Sequence, residues 1–232
     1  MTIRLFGSRL SPFVEKIARA LAVKSLPFTL VPPRRPTDFR KWNPQTGKMP
    51  VLDVDGDRTY DSSAILRRLD VLRPAPALFA DDPATAAKQR FLEDWSDEAL
   101  YWYGMALRWT AANAGATAGQ VLADIGVPGF LHPVLRPIFR RQIGGQAVGQ
   151  GLVRLPVPFL EEELGRRLDE LLVWLADRPF FFADRVSGAD LAIFGQLRML
   201  QSGPTPEAAR LVASRPALVA YQARVDVATQ PG

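Results

Sequence analysis

The sequence predicts an α/β domain with a small four-stranded mixed sheet over residues 1–76, joined by 77–83 to an all-helical domain over 84–232. Three observations carry this expectation. Up to about residue 80, short apolar runs that stop at Gly or Pro alternate with helix-period segments. From residue 84 onward only helix-period segments follow. Between the two lies "RPAPALFADDP", residues 73–83, a linker-like stretch with three prolines. A chain of 232 residues, 47 % hydrophobic, is long enough for both units.

The elements follow in order. "IRLF" (3–6) is a short apolar strand that ends at Gly7. "SPFVEKIARALAVKSLPF" (11–28) reads as one helix with a turn signal on each side, Phe13, Ile17 and Leu21 forming one buried stripe. "PFTLV" (27–31) is the second strand, closed by Pro32-Pro33. A right-handed β-α-β crossover makes these two strands parallel. After a short irregular or helical stretch, "PVLDV" (50–54) alternates and stops at Asp55-Gly56, a hairpin signal, with "RTYD" (58–61) as the antiparallel return strand. "DSSAILRRLDVL" begins with three capping types, Asp61, Ser62 and Ser63. In the second half, residues 83–114 read as one long helix. "FLEEELGRRLDELLVWLAD" carries a leucine face, "SGADLAIFGQLRML" is apolar almost all round and predicts the buried centre, and "SRPALVAYQARVDV" is a last amphipathic helix. Residues 115–155, rich in Gly and Pro, are the least readable part.

Composition narrows the function. Without cysteine there is no disulfide, no thiolate metal site and no protein thiol nucleophile. No run of 18 apolar residues predicts a membrane-spanning helix. The first residues lack the apolar region of an export signal, so cytoplasm is the expected location. The net charge of +5, densest at "RPIFRRQ" (136–142), is small for this length and does not form the long aromatic-interleaved stripe of a nucleic-acid binder. His132 has no second histidine and no Ser/Asp partner in reach, so it predicts neither a metal site nor a triad.

Four motifs remain. Ser11 stands where a strand hands over to a helix, either as a plain N-cap or as a group that holds something reactive at the helix end. Pro50 opens a strand. In the trans form it is an ordinary strand starter; in the cis form it turns the Met49 backbone toward a peptide-like ligand. Asp61-Ser62 at a helix start is either a cap or a site for an α-amino acid group, its carboxylate on the helix end and its ammonium on Asp61. Ser187 and Asp190 in "VSGADLAIF" have capping-box spacing, with Val186 and Leu191 at staple positions, and predict structure rather than chemistry.

A strand, then "SPFVEK", "NPQTGKMPVL", a "DG" hairpin, "DSSAIL" and a helical half carrying "SGADLAIF" together resemble the cytosolic glutathione transferase superfamily, over nearly the whole chain. The resemblance implies a thioredoxin-like first domain, glutathione as co-substrate with no permanently bound cofactor or metal, and a homodimer. It implies a cis Pro50, Met49 pairing with the cysteinyl backbone, Asp61 and Ser62 receiving the γ-glutamyl end, and, through "RRPTDF", Arg35 near the glycyl carboxylate. Ser11 occupies the place of the cysteine in the "CPF" of omega-like and glutaredoxin-like members. Serine cannot form a mixed disulfide, so thiol-disulfide exchange is not expected. A hydroxyl can instead donate to the glutathione thiolate, which attacks a small hydrophobic electrophile in a detoxifying conjugation; Ser8 is the second candidate for this donor. Phe13, Tyr101, Met105 and Arg108 are expected to line the electrophile pocket, among the aromatic run "YWYGMALRW". Residues 128–158 faintly resemble the failed-axon/metaxin-like branch, which keeps a second reading open: a glutathione-binding or scaffold homologue with little turnover. Use of 134–154 as a membrane-surface adaptor stands third, and membrane contact is not the expectation.

Overall fold

The computed structural model describes residues 1–230. It opens with strand β1 (Ile3–Phe6), helix α1 (Pro12–Val23) and strand β2 (Thr29–Val31), followed by a short helix α2 (Asp38–Trp42), the hairpin β3 (Val51–Val54) and β4 (Asp57–Tyr60), and helix α3 (Ser62–Leu72). The sheet order is β2-β1-β3-β4, with β1 parallel to β2 and antiparallel to β3. The hairpin turns at Asp55 (φ 52°) and Gly56 (φ 93°), the left-handed pair that a two-residue turn demands. All four residues of β3 are buried, so the half-exposed alternation expected for it does not occur. One face lies in the core with α1 and α3; on the other, Val51 packs with Phe6 and Trp42. Asp53, on β3, is held by Arg4, Arg58 and the Gly56 N–H.

Helix α1 corrects the single-stripe expectation in the same way. Phe13 is only half-buried, while Pro12 and every residue from Val14 through Leu21 are buried. The reason is that α1 is sandwiched. Val14, Ile17 and Leu21 join the sheet core, and the other side lies against α9 (Gly188–Gln201) of the second domain. The crossing is tight: a Cβ on Gly195 would stand 2.5 Å from the Pro12 carbonyl oxygen.

The second domain begins with α4 (Pro83–Trp95), passes through one π-helical stretch, Ser96–Leu100, and continues as α5 (Tyr101–Arg108). The long helix expected over 83–114 therefore ends at Arg108. Side chains from the next turns take its last carbonyls: Thr110 Oγ1 and Asn113 Nδ2 donate to Leu107, and Thr117 Oγ1 to Arg108. The unreadable stretch forms two helices, α6 (Ala114–Asp124) and α7 (His132–Gln150). Their glycines allow close packing, since a Cβ on Gly144 would touch the Trp109 ring at 3.3 Å. Helices α8 (Val157–Leu175), α9, α10 (Pro206–Ala213) and α11 (Pro216–Ala228) complete the fold. As expected, α9 is the buried centre, and its entry is the Ser187–Asp190 box. Asp190 accepts from the N–H of Phe181 and Ser187 and from the hydroxyls of Ser187 and Tyr221.

The proline-rich connector is not loose. Lys24, fully buried at the end of α1, donates to Asp70 and to the carbonyls of Arg73 and Pro76. From the other side, Gly188 N–H donates to Leu78 O at 2.6 Å and Arg185 to Ala77 O.

Candidate active site

The C-terminal end of β1 and the first turn of α1 meet at Ser11. Its backbone is extended (φ −78°, ψ 125°) and Pro12 supplies the first helical residue, but the Ser11 side chain makes no capping bond. The hydroxyl sits half-buried at an open helix end. Ser8 differs. It is buried, its N–H donates to the Met49 sulfur at 3.3 Å, and its hydroxyl accepts from the Leu10 N–H at 3.1 Å.

The loop ahead of Ser11 is braced by Glu15, a buried carboxylate on α1. Arg9 meets it with two bonds of 2.6 and 2.8 Å, Arg19 at 2.7 Å and Arg198 of α9 at 2.9 Å. Burial alone would raise the Glu15 carboxyl; the guanidiniums outweigh it and hold it below its usual range.

Met49 and Pro50 lie between α2 and β3, joined by a cis peptide, with Pro50 buried and Met49 half-buried. Arg35, on the loop before α2, is exposed; its N–H donates to Asp38. At the start of α3 the cap is Asp61, which accepts from the Ala64 N–H at 2.9 Å and holds φ 72°, ψ 130°, a conformation rare for any residue but glycine. Ser62 is thereby the first helical residue. The N–H groups of Ser62 and Ser63 point out of the open end, where no intrahelical acceptor exists.

The side chain of Ser62 turns inward. It donates to Asp97 at 3.4 Å, and Ser63 donates to Glu93 at 2.6 Å. Both carboxylates belong to the helical domain and both take the ammonium of Lys16, at 2.6 Å from Glu93 and 2.5 Å from Asp97. This charged group is buried in the domain seam, with Gln196 of α9 at its edge. Burial, opposed by Lys16 and assisted by Glu93, pushes the Asp97 carboxyl up to about 6. Burial works against the Lys16 ammonium too, but Asp97 and Glu93 prevail and raise it. Sequence reasoning missed this cluster and the Glu15 hub. Their one signal was a Glu-Lys pair inside a helix otherwise buried.

Of the four residues expected at the electrophile pocket, Tyr101 links the rest: it meets Phe13, packs against the cluster that holds Met105 and feels the charge of Arg108. Phe13 and Tyr101 come together across the seam with ring centroids 4.9 Å apart, and burial raises the Tyr101 phenol to about 12. Met105 packs in a second core cluster with Trp109, Ala118 and Phe139. Arg108 turns to the end of α9, donating to the carbonyls of Met199 and Ser202. Among the described residues His132 has no acidic partner; its Nε2 lies 3.0 Å from Val127 O.

Residues 5–77 match the family described as glutathione S-transferase, N-terminal domain. The chain is 26 % identical over 230 residues to the isoprene-epoxide–glutathione S-transferase of Rhodococcus sp. (strain AD45), covering 93 % of this chain and 91 % of that one. It is 31 % identical over 99 residues to the uncharacterized GST-like protein YibF of Escherichia coli (strain K12), a match to 41 % of this chain and about half, 48 %, of that protein. Among solved structures, the beta-etherase LigF from Sphingobium sp. strain SYK-6 superposes with a TM-score of 0.71 at 23 % identity, over 97 % of this chain and 95 % of that one, a likeness of fold.

Proposed function

We propose that this chain, whose first domain matches the glutathione S-transferase N-terminal family and whose fold throughout is like that of solved relatives, joins the sulfur of glutathione to a small hydrophobic electrophile, with Ser11 as the thiolate's hydrogen-bond donor. The observation that carries this reading is the contrast between the two serines. The Ser11 hydroxyl has no capping partner and stands half-buried at an open helix end, whereas the Ser8 hydroxyl is buried and held back against the Leu10 N–H. A free thiol has a pKa of about 8.5, so most of it is protonated at neutral pH. A hydroxyl donor and the positive end of α1 both favour the thiolate, together lowering that pKa by roughly one to two units. The thiol proton leaves to solvent. The sulfur lone pair forms the new carbon–sulfur bond, and the leaving group or opened ring of the electrophile takes the displaced electron pair.

The tripeptide would lie along the edge formed by Met49, Pro50 and the start of α3. The N–H groups of Ser62 and Ser63 suit its γ-glutamyl carboxylate and Asp61 its ammonium. The Met49 backbone would pair with the cysteinyl unit, and Arg35 faces the glycyl end. The unusual backbone of Asp61 supports a ligand role there, since strained residues of this kind cluster at binding sites. Phe13 and Tyr101 would form the apolar floor for the electrophile.

The test is retention on immobilised glutathione together with turnover of 1-chloro-2,4-dinitrobenzene. Ser11→Ala is expected to keep retention and lose most of its rate at neutral pH, with part of that rate returning at alkaline pH as the thiol ionises unaided. A full rate in Ser11→Ala and a low one in Ser8→Ala would reverse the assignment. Retention by the native chain without turnover would favour a binding homologue.

A further inference from the structure

We propose that the outward face of α7 docks on an anionic lipid surface. The inference is independent of the transferase reading. Helix α7 turns Phe139, Gly144 and Ala147 inward. On the opposite arc it exposes Val134 (66 %), Ile138 (53 %) and Val148 (47 %), with Phe130 (79 %) in the 3-10 turn just before it. Arg141 lies in the middle of that arc; Arg140, one position back, projects about 100° from it, beside Gly144 and Trp109. Both are exposed, and neither has an ion pair among the described residues. From Ile125 to Leu160 the chain has no Asp or Glu, while Arg136, Arg140, Arg141 and Arg154 all fall within it.

The occupant must therefore supply negative charge and apolar volume together. A second copy of this chain pairing through the same face does not: it would set one acid-free, arginine-bearing stripe against another. A nucleic acid offers phosphate but nothing to bury Phe130, Val134 and Ile138. The surface of an anionic bilayer offers both, with headgroup charge for the guanidiniums and the acyl boundary for the apolar stripe. The geometry suits an interfacial helix lying flat, about 28 Å long. No helix among the described residues is long and apolar enough to cross a membrane. The sequence alone could not say that Arg141 and the apolar side chains share one outward arc.

The test is co-sedimentation of the full chain with vesicles of equal parts phosphatidylglycerol and phosphatidylcholine, beside pure phosphatidylcholine, at low and high salt. Binding is expected to the anionic vesicles alone and to weaken with salt. Arg140→Gln with Arg141→Gln should lower the partition coefficient roughly 25-fold, at about fivefold per arginine. Val134→Ser with Ile138→Ser should lower it about tenfold, since the stripe must enter the lipid. Arg67→Gln with Lys88→Gln removes the same charge from other faces and should leave binding unchanged. All these sites are exposed, so melting curves should coincide. The proposal is overturned if the anionic vesicles do not bind, if the Arg67/Lys88 pair matters as much, if the Val134/Ile138 pair does not matter, or if poly-glutamate binds as well as the vesicles do.

Discussion

Gly195→Ala tests whether the contact between α1 and α9 sets the position of Ser11. The added Cβ would lie 2.5 Å from the Pro12 carbonyl oxygen and 3.2 Å from its carbon. Ordinary contact begins near 3.4 Å, so the two helices must part by about 0.9 Å at that point. Both obstructing atoms are backbone, and no rotamer change can relieve them. Overpacking of this kind costs about 1–3 kcal/mol, offset by about 1 kcal/mol from the better helix propensity of alanine. The net loss is about 1 kcal/mol, which in a chain of this size lowers the melting temperature by roughly 2–4 °C. The effect on chemistry should be larger, because Pro12 follows Ser11 directly and a displacement near 1 Å can cost on the order of a hundredfold in rate. Gly104→Ala is the control. Its Cβ would meet the far end of a flexible side chain, Met199 Cε, which can swing away. Thermal melts and glutathione turnover of both variants decide the matter. A Gly195→Ala protein that matches the native chain in both measurements, or a Gly104→Ala protein that loses as much, would refute the reasoning.

Three further outcomes follow from the same contacts. Ser62→Ala keeps the N–H offered to glutathione and removes only the hydroxyl turned to Asp97, so glutathione affinity should stay within about twofold, with little change in melting because Lys16 still holds Asp97; a loss near tenfold in calorimetric titration would show that the hydroxyl itself meets the ligand. The Asp97 carboxyl, at about 6 in the fold against 3.8 ordinarily, binds its proton more readily folded than unfolded. Its contribution to stability is therefore greatest below pH 4 and lost as pH rises to about 6; the difference in melting temperature between the native chain and Asp97→Asn should change across that window and be flat above it, and a flat difference throughout would show the carboxyl to be unperturbed. Asp190→Ala strands the Phe181 and Ser187 N–H groups and the Tyr221 hydroxyl, and should cost about 3–5 kcal/mol in urea unfolding; a loss below about 1 kcal/mol would mean that the box does not anchor α9.

Legibility in the sequence followed locality. The turn at Asp55-Gly56, the caps at Asp61 and Ser187 and the crossover between β1 and β2 are each decided by a few neighbouring residues, and each was readable. The end of α5 was not, because its carbonyls are taken by Thr110, Asn113 and Thr117, all beyond the break. Helices α6 and α7 were hidden by the glycines that let them pack, which lower helix propensity where tertiary contact restores it. The directions of Met105 and Arg108 were lost at the π-helical stretch Ser96–Leu100. Such a stretch adds residues to a turn, so the 3.6-residue period no longer says which way the following side chains face. In the candidate site, Ser11, Met49, Pro50, Asp61 and Ser62 were named from motifs. Asp97 was not, because nothing near it in the chain marks one acid among several as the partner of a lysine 81 positions away.

The seam around Lys16 makes the two halves a single inheritance. Its ammonium lives in the first half and both of its counter-charges, Glu93 and Asp97, in the second. The segment between the halves is stitched to Lys24 on one side and to the entry of α9 on the other, so no slack backbone marks a place to cut. A recombination that joined residues 1–76 to another helical half without acids at those two places would bury a lone cation, a fault of several kcal/mol. Replacing Lys16 by Met in the same chimera would remove it. Exchange of halves between relatives is thus constrained less by the glutathione edge than by three residues at the back of it, which must travel or change together.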